Sequence, residues 1–106
     1  MTELDIFKLV EDLKQKELEH LAKEVEYFEL KQHKAKLEKE KTFIEEAYSS
    51  KVAFDKELKN AEQRKAKLFE LLKEDVAYQQ ILEKLDNLEQ QLTQALIQLK
   101  KSKSRS

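Results

Sequence analysis

Residues 76–99 read VAYQQILEKLDNLEQQLTQALIQL and hold the clearest heptad pattern in the chain. Apolar side chains recur there at alternating steps of three and four residues, the spacing of the a and d positions of a coiled coil. These positions are Tyr78, Ile81, Leu85, Leu88, Leu92, Ala95 and Leu99. The apolar arc is widened beyond this seam by Leu82, Leu96 and Ile97, so we expect the helix to contact two neighbours. The pattern predicts a helix–helix interface made of Tyr78, Ile81, Leu82, Leu85, Leu88, Leu92, Leu96 and Leu99.

The rest of the chain is equally suited to helix. Its 106 residues include no glycine and no proline, the residue types that most often end helices and shape tight turns. Charged residues make up 41% of the sequence, and apolar residues recur between them at helical spacing. The composition therefore predicts an all-α protein.

The helix boundaries are predicted from capping residues. Thr2, with Asp5 three residues later, is a weak capping box for a first helix over about residues 3–47. Serine favours helix ends, so we expect a reversal at residues 48–50, with Ser50 capping a second helix over about residues 51–73. Asp75 is expected to cap a third helix over about residues 76–101, followed by a polar basic tail at residues 102–106.

Two architectures fit these boundaries. In the favoured one, residues 1–101 form a single domain, a long antiparallel helical hairpin that resembles a coiled coil, with its second arm kinked near Asp75. In the alternative, the polar stretch at residues 31–41 is a loop and the chain forms a compact three-helix bundle. Small domains bury a modest share of their surface, so we expect an oligomer in either case.

The aromatic residues divide into two groups. The phenylalanines lie mostly on the leucine stripes, which predicts that they pack in the core. They are Phe7, Phe28, Phe43, Phe54 and Phe69. Tyr27 and Tyr48 are expected to be less internal.

Few residues suggest chemistry. Without cysteine, thiolate catalysis and cysteine-ligated zinc are excluded. Glu17-x-x-His20, with Glu24 one turn later, is half of the ligand set of a di-iron carboxylate bundle. His33, the other histidine, lacks a glutamate three residues before it, so the second half is missing. We therefore expect no metal ion, no cofactor and no catalytic residue.

Charge is nearly balanced, at a net −1 overall, which argues against a nucleic-acid partner. It is unevenly distributed, however. Residues 1–30 carry four lysines against nine acidic residues, and residues 31–67 carry eleven basic against seven acidic residues. No apolar stretch approaches the length of a membrane span and the first residues are acidic, so we expect a cytoplasmic protein.

These observations favour a non-enzymatic structural or adaptor protein that associates through its helices. Its partner is expected to be a second copy, with a dimer favoured, or another helical protein. A small chaperone-like module that holds a client segment is the alternative. A weak nucleic-acid or anionic-surface binder, using the basic residues 31–67 and the tail, is a second alternative.

Overall fold

The computed structural model describes residues 2–104. This part of the chain contains three helices and no strand: α1 (Glu3–Ala53), α2 (Ala61–Glu74) and α3 (Val76–Ser104). Helix makes up 91% of the structure, which confirms the all-α prediction. Residues 31–41 lie inside α1, so the three-helix bundle with a loop there is wrong. The third helix continues past residue 101 to Ser104, and residues 105 and 106 of the predicted tail lie outside the described residues.

The helices are distributed over two compact units. Unit 1 contains residues 2–32, from the first part of α1, and residues 90–104, from the second part of α3. Unit 2 is the continuous segment His33–Glu89, which contains the rest of α1, all of α2 and the start of α3. Both units therefore pair a part of α1 with a part of α3.

The first helix starts as its capping residues predict. The Thr2 hydroxyl accepts a hydrogen bond from the Asp5 N–H (3.3 Å), and Asp5 Oδ2 accepts one from the Thr2 N–H (3.2 Å). The Thr2 hydroxyl also donates to Asp5 Oδ2 (2.8 Å). The hydrogen bond from the Thr2 hydroxyl is the main cause that lowers the pKa of Asp5 below its usual range, and the bond from the Thr2 N–H adds to it. Two backbone groups that a helix start leaves unpaired are thus satisfied reciprocally.

The reversal at residues 48–50 is wrong in position. Helix α1 runs unbroken through Ser49 and Ser50 and ends at Ala53, after 51 residues. Serine is a poor helix former but does not stop a helix that tertiary packing holds. Val52, only 3% exposed, provides that packing just beyond the serines. The chain reverses instead at residues 54–60, and the second helix begins at Ala61 rather than at residue 51.

Side chains of Asp55 and Asn60 shape this reversal. Asp55 Oδ1 accepts a hydrogen bond from the Glu57 N–H (3.0 Å), a local turn that aspartate commonly makes. Asn60 is the N-cap of α2, and its Oδ1 accepts from the Gln63 N–H (2.8 Å). Gln63 Oε1 reaches back to the Lys59 N–H (2.8 Å). The loop therefore closes without glycine.

Asp75 forms the kink between α2 and α3, as the sequence predicts. Its backbone is extended, with φ −75° and ψ 110°, and its N–H closes the last turn of α2 on Leu71 and Leu72. Its carboxylate accepts from the Tyr78 N–H (2.8 Å), which caps α3, and from the Tyr48 hydroxyl (2.5 Å), which belongs to α1. The hydrogen bond from Tyr48 is the main cause that lowers the pKa of Asp75, and the bond from Tyr78 adds to it. The bond between Tyr48 and Asp75 also raises the pKa of Tyr48.

Further contacts show that α3 runs antiparallel to α1 within unit 2. The Tyr78 hydroxyl donates to Glu45 Oε2 (3.0 Å), and Lys34 Nζ donates to Glu89 Oε1 (3.3 Å). Each step back along α1, from residue 48 to 45 to 34, is matched by an equal step forward along α3, from 75 to 78 to 89. The register is therefore constant, and the antiparallel hairpin is confirmed.

The buried core lies in unit 2. It consists of Leu37, Val52, Tyr78, Ile81 and Leu88. Burial raises the pKa of Tyr78, and its bond to Glu45 adds to this. Unit 1 has no buried side chain among residues described there, so its two helices pack only partly against each other.

We predict that Leu88→Ala lowers the free energy of unfolding by about 2–5 kcal/mol, because it leaves a cavity in the core. Phe54→Ala is the control, since Phe54 is 86% exposed and exposed substitutions change stability by less than about 0.5 kcal/mol. Urea denaturation followed by circular dichroism measures both. Equal effects would contradict this location of the core.

We also predict that acid weakens the kink. The folded-state pKa of Asp75 lies below the usual value of 3.8, so its stabilising contribution is present above that pH and is lost as pH falls through the folded-state pKa. The raised pKa of Tyr48 matters at alkaline pH. The stabilising contribution of this hydroxyl is complete below the usual value of 10.0 and is lost as pH rises through the folded-state pKa.

Tyr48→Phe should therefore melt at a lower temperature than the parent at pH 7 and lose less on transfer to pH 3. Tyr27→Phe is the matched control, because Tyr27 contacts Lys31 through its ring, at 5.4 Å. Thermal melts at the two pH values provide the measurement. An unchanged acid response in Tyr48→Phe would show that this hydrogen bond does not lower the pKa of Asp75.

Candidate interaction surface

His20 joins α1 to α3. His20 Nδ1 lies 3.0 Å from the Ser102 hydroxyl of α3, with which it shares a hydrogen bond, and its Nε2 lies 2.8 Å from Glu24 Oε1. Both ring nitrogens are thus engaged, and Glu17 is exposed. No group of side chains suited to hold a metal ion occurs in the part of the chain whose side chains are described, residues 2–102. This contact attaches the end of α3 to α1 in unit 1.

The face of α1 that meets α3 in unit 1 is largely polar. Its half-buried side chains, which we call the inner seam, are His20, Lys23, Tyr27 and Leu30. The long side chains of such residues pack through their apolar parts and leave the polar ends in water. The half-buried residues of α3 opposite are Leu92, Ala95, Leu96, Leu99 and Ser102. Most apolar residues of this part of α1 therefore lie elsewhere on the helix.

They lie largely on the opposite face, where they form a heptad stripe in two parts, Leu4 with Phe7 and then Leu18 to Phe28. We call this set the outer stripe; it consists of Leu4, Phe7, Leu18, Leu21, Val25 and Phe28. Leu18 precedes His20 by two residues, which is about 200° around an α-helix. The stripe is well exposed, with values from 48% at Val25 to 67% at Leu4. A stripe of this kind normally packs against another helix.

The start of α1 also extends beyond the described part of α3. Stepping back from His20 at the spacing of the inner seam leads through Lys16 to three further apolar residues, namely Leu13, Leu9 and Ile6. Because His20 pairs with Ser102 and α3 is described only to Ser104, nothing in the described chain lies opposite them. They are about half exposed. The first turns of α1 are therefore apolar on two faces.

The phenylalanines do not form the core, contrary to the sequence prediction. Phe7, Phe28, Phe43, Phe54 and Phe69 are all at least 60% exposed. The tyrosines take the inward positions instead, with Tyr78 buried and Tyr27 and Tyr48 half-buried. The hydroxyl groups of Tyr48 and Tyr78 donate hydrogen bonds to carboxylates across the hairpin. A phenylalanine at either position would leave its carboxylate without this bond.

The predicted interface on α3 contributes mainly to the hairpin itself. Tyr78, Ile81 and Leu88 are buried in unit 2. Half-buried positions in the same set are Leu82, Leu85, Leu92, Leu96 and Leu99. Burial thus follows the predicted heptad, with α1 of the same chain as the neighbour. Contact of this stripe with a second protein stays a prediction.

Sequence reasoning does not identify the outer stripe, because it treats the apolar residues of α1 as one face. The spacing of Leu18, Leu21, Val25 and Phe28 was visible in the sequence, but the inner seam was not, since it contains histidine and lysine. Only the pairing of α1 with α3 shows which face is already used.

A shallow open depression lies on α1 in unit 2. Its lining residues are Ala35, Glu38, Lys39, Thr42, Phe43 and Glu46. All of them belong to a single helix, so the depression lacks the converging walls of a small-molecule site.

Comparison with protein families, curated proteins and solved structures gives no match. Among the described helices, none has the length and apolar character needed to cross a membrane. The surface of α1 is thus the main guide to what the chain does.

Proposed function

We propose that the protein is a non-enzymatic structural or adaptor protein that acts through helix–helix association, with itself or with a helical partner. The observation that carries this proposal is the outer stripe, a heptad row on the face of α1 that α3 leaves free. Extended rows of exposed apolar side chains mark sites of protein association. The heptad spacing of the stripe supports a helical partner, because such spacing fits the side of another helix.

The packing of unit 1 supports this proposal. A pair of helices with no buried side chain gains little from burial, whereas fully burying one Leu, Val or Phe is worth roughly 1.5–3 kcal/mol. Covering the outer stripe on two chains would therefore gain on the order of 10 kcal/mol, comparable with the cost of association. A partner helix on this face supplies stability that unit 1 lacks.

The non-enzymatic part of the proposal rests on composition and on the contacts of His20. Glycine and cysteine are absent from the chain, so it has neither a glycine-rich phosphate loop nor a thiolate nucleophile. The His20 group is engaged in holding α3.

Leu21→Glu tests the proposal, because it places a charge in the outer stripe and should abolish association while leaving the helix content unchanged. Leu9→Glu is the matched control: Leu9 and Leu21 are 52% and 55% exposed, and they lie about 120° apart around the helix. Light scattering and circular dichroism of both variants and the parent decide the result.

Loss of association in Leu9→Glu alone would assign the contact to the extended inner face of α1 instead. A parent protein that is monomeric and has no helical partner would contradict the proposal.

A chaperone-like module is a second candidate, favoured by the exposed aromatic residues of unit 2. Phe43, Phe54 and Phe69 are 73%, 86% and 71% exposed. Such side chains bind apolar segments of unfolded proteins without strict sequence requirements.

This second candidate predicts that the parent suppresses aggregation of a chemically denatured protein on dilution. A triple variant, Phe43→Ala with Phe54→Ala and Phe69→Ala, should lose this effect, and Leu21→Glu should retain it. Turbidity measures both. A triple variant as effective as the parent would exclude client binding through these residues.

A further inference from the structure

We infer that the outer stripe is occupied by the outer stripe of a second copy of the chain, running antiparallel. This inference rests on the proposed function and adds the identity and direction of the partner helix. It is carried by two charged residues, Glu11 and Lys14, that occupy stripe positions between two apolar pairs.

The heptad spacing places these residues in one row. Continuing back from Leu21 and Leu18 by steps of four and three residues leads to Lys14, then Glu11, then Phe7 and Leu4. The row therefore reads apolar, apolar, acidic, basic, apolar, apolar along α1. Such a row is complementary to itself when it is reversed.

A twofold axis between Glu11 and Lys14 pairs the six positions of this row. Leu4 then faces Leu21 of the second copy, Phe7 faces Leu18, and Glu11 faces Lys14. Antiparallel coiled coils pair an a position with a d position in this way, and the apolar layers on both sides shield the two central ion pairs. Val25 and Phe28 lie beyond these layers and are left unpaired by this arrangement.

Other arrangements lose this pairing. Parallel helices would place Glu11 against Glu11 and Lys14 against Lys14, and like charges in an interface cost free energy. An antiparallel pairing shifted by one heptad would place Glu11 against Leu21 and bury an unpaired charge. Among the side chains described, those of residues 2–102, no ion pair involves Glu11 or Lys14.

The charge around the stripe also argues against a lipid surface or a nucleic acid. Residues 1–30 carry four lysines and nine acidic residues, so anionic headgroups and phosphates are repelled. Helices that bind anionic membranes have the opposite balance on the polar face. A second copy avoids this conflict at the interface because each acid there meets a base.

A charge-swap cycle tests the inference. The parent should form dimers. Glu11→Lys and Lys14→Glu should each weaken them by at least about tenfold in Kd, because each creates two like-charged contacts. The double variant should recover most of the parent affinity. Asp12→Lys is the control, with the same change in charge as Glu11→Lys at an exposed position outside the stripe. Sedimentation equilibrium measures all five proteins.

A double variant no tighter than the single variants would overturn the antiparallel pairing. A monomeric parent would overturn the second copy as occupant. In that case the proposed function still stands if Leu21→Glu abolishes binding to a purified helical partner, and it fails if no binding depends on Leu21.

A distance measurement gives an independent result. The chain has no cysteine, so Glu26→Cys provides a single labelling site on an exposed position. The antiparallel dimer separates the two labels by about 40 Å along the helices, and a parallel dimer brings them within about 20 Å. Spin-label distances in the shorter range would contradict the inference.

Discussion

The hairpin depends on Asp75, whose backbone N–H closes α2 and whose two carboxylate oxygens bond to α3 and α1. One oxygen accepts the Tyr78 N–H and so fixes where α3 begins, and the other accepts the Tyr48 hydroxyl and so fixes where α3 lies along α1. Once that position is set, a straight α3 must pass Glu45 with Tyr78 and Lys34 with Glu89. One short side chain thus determines both the kink and the register, and a carboxylate suits this role because it accepts several hydrogen bonds at once.

The first helix performs two tasks on two faces. Its inner seam uses polar side chains with long apolar stems to hold α3 loosely, and its outer stripe keeps leucine, valine and phenylalanine in solvent. This division is the reverse of what a monomeric hairpin requires, since the strongest apolar surface would then face α3. It is consistent with a chain whose fold is completed by contact with another helix. Glu11 and Lys14 would give that contact a direction at a small cost in stability, as polar residues within coiled-coil seams do.

Sequence reasoning predicted the helical hairpin, the kink at Asp75 and the heptad of α3, because each depends on local capping or on regular spacing. It placed the reversal too early because Ser49 and Ser50 are weak signals, overridden by the burial of Val52. Asn60 with Gln63 three residues later was the better signal, a readable helix start. The candidate surface was not predictable in the same way. Spacing shows that a helix has apolar faces, but only the position of α3 shows which of them remains free.

The sequence separation of these contacts has a consequence for how the chain folds. Tyr48 and Asp75 are 27 residues apart in the chain, Lys34 and Glu89 are 55 apart, and His20 and Ser102 are 82 apart. Closing a longer loop costs more chain entropy. The pairing of α1 with α3 should therefore nucleate beside the reversal and spread from there to contacts of larger sequence separation. The residues of the inner seam would be the last to gain a neighbour in α3, whereas the outer stripe has none in α3 even in the folded chain. During synthesis on the ribosome, where α1 emerges long before α3, that same stripe is available first.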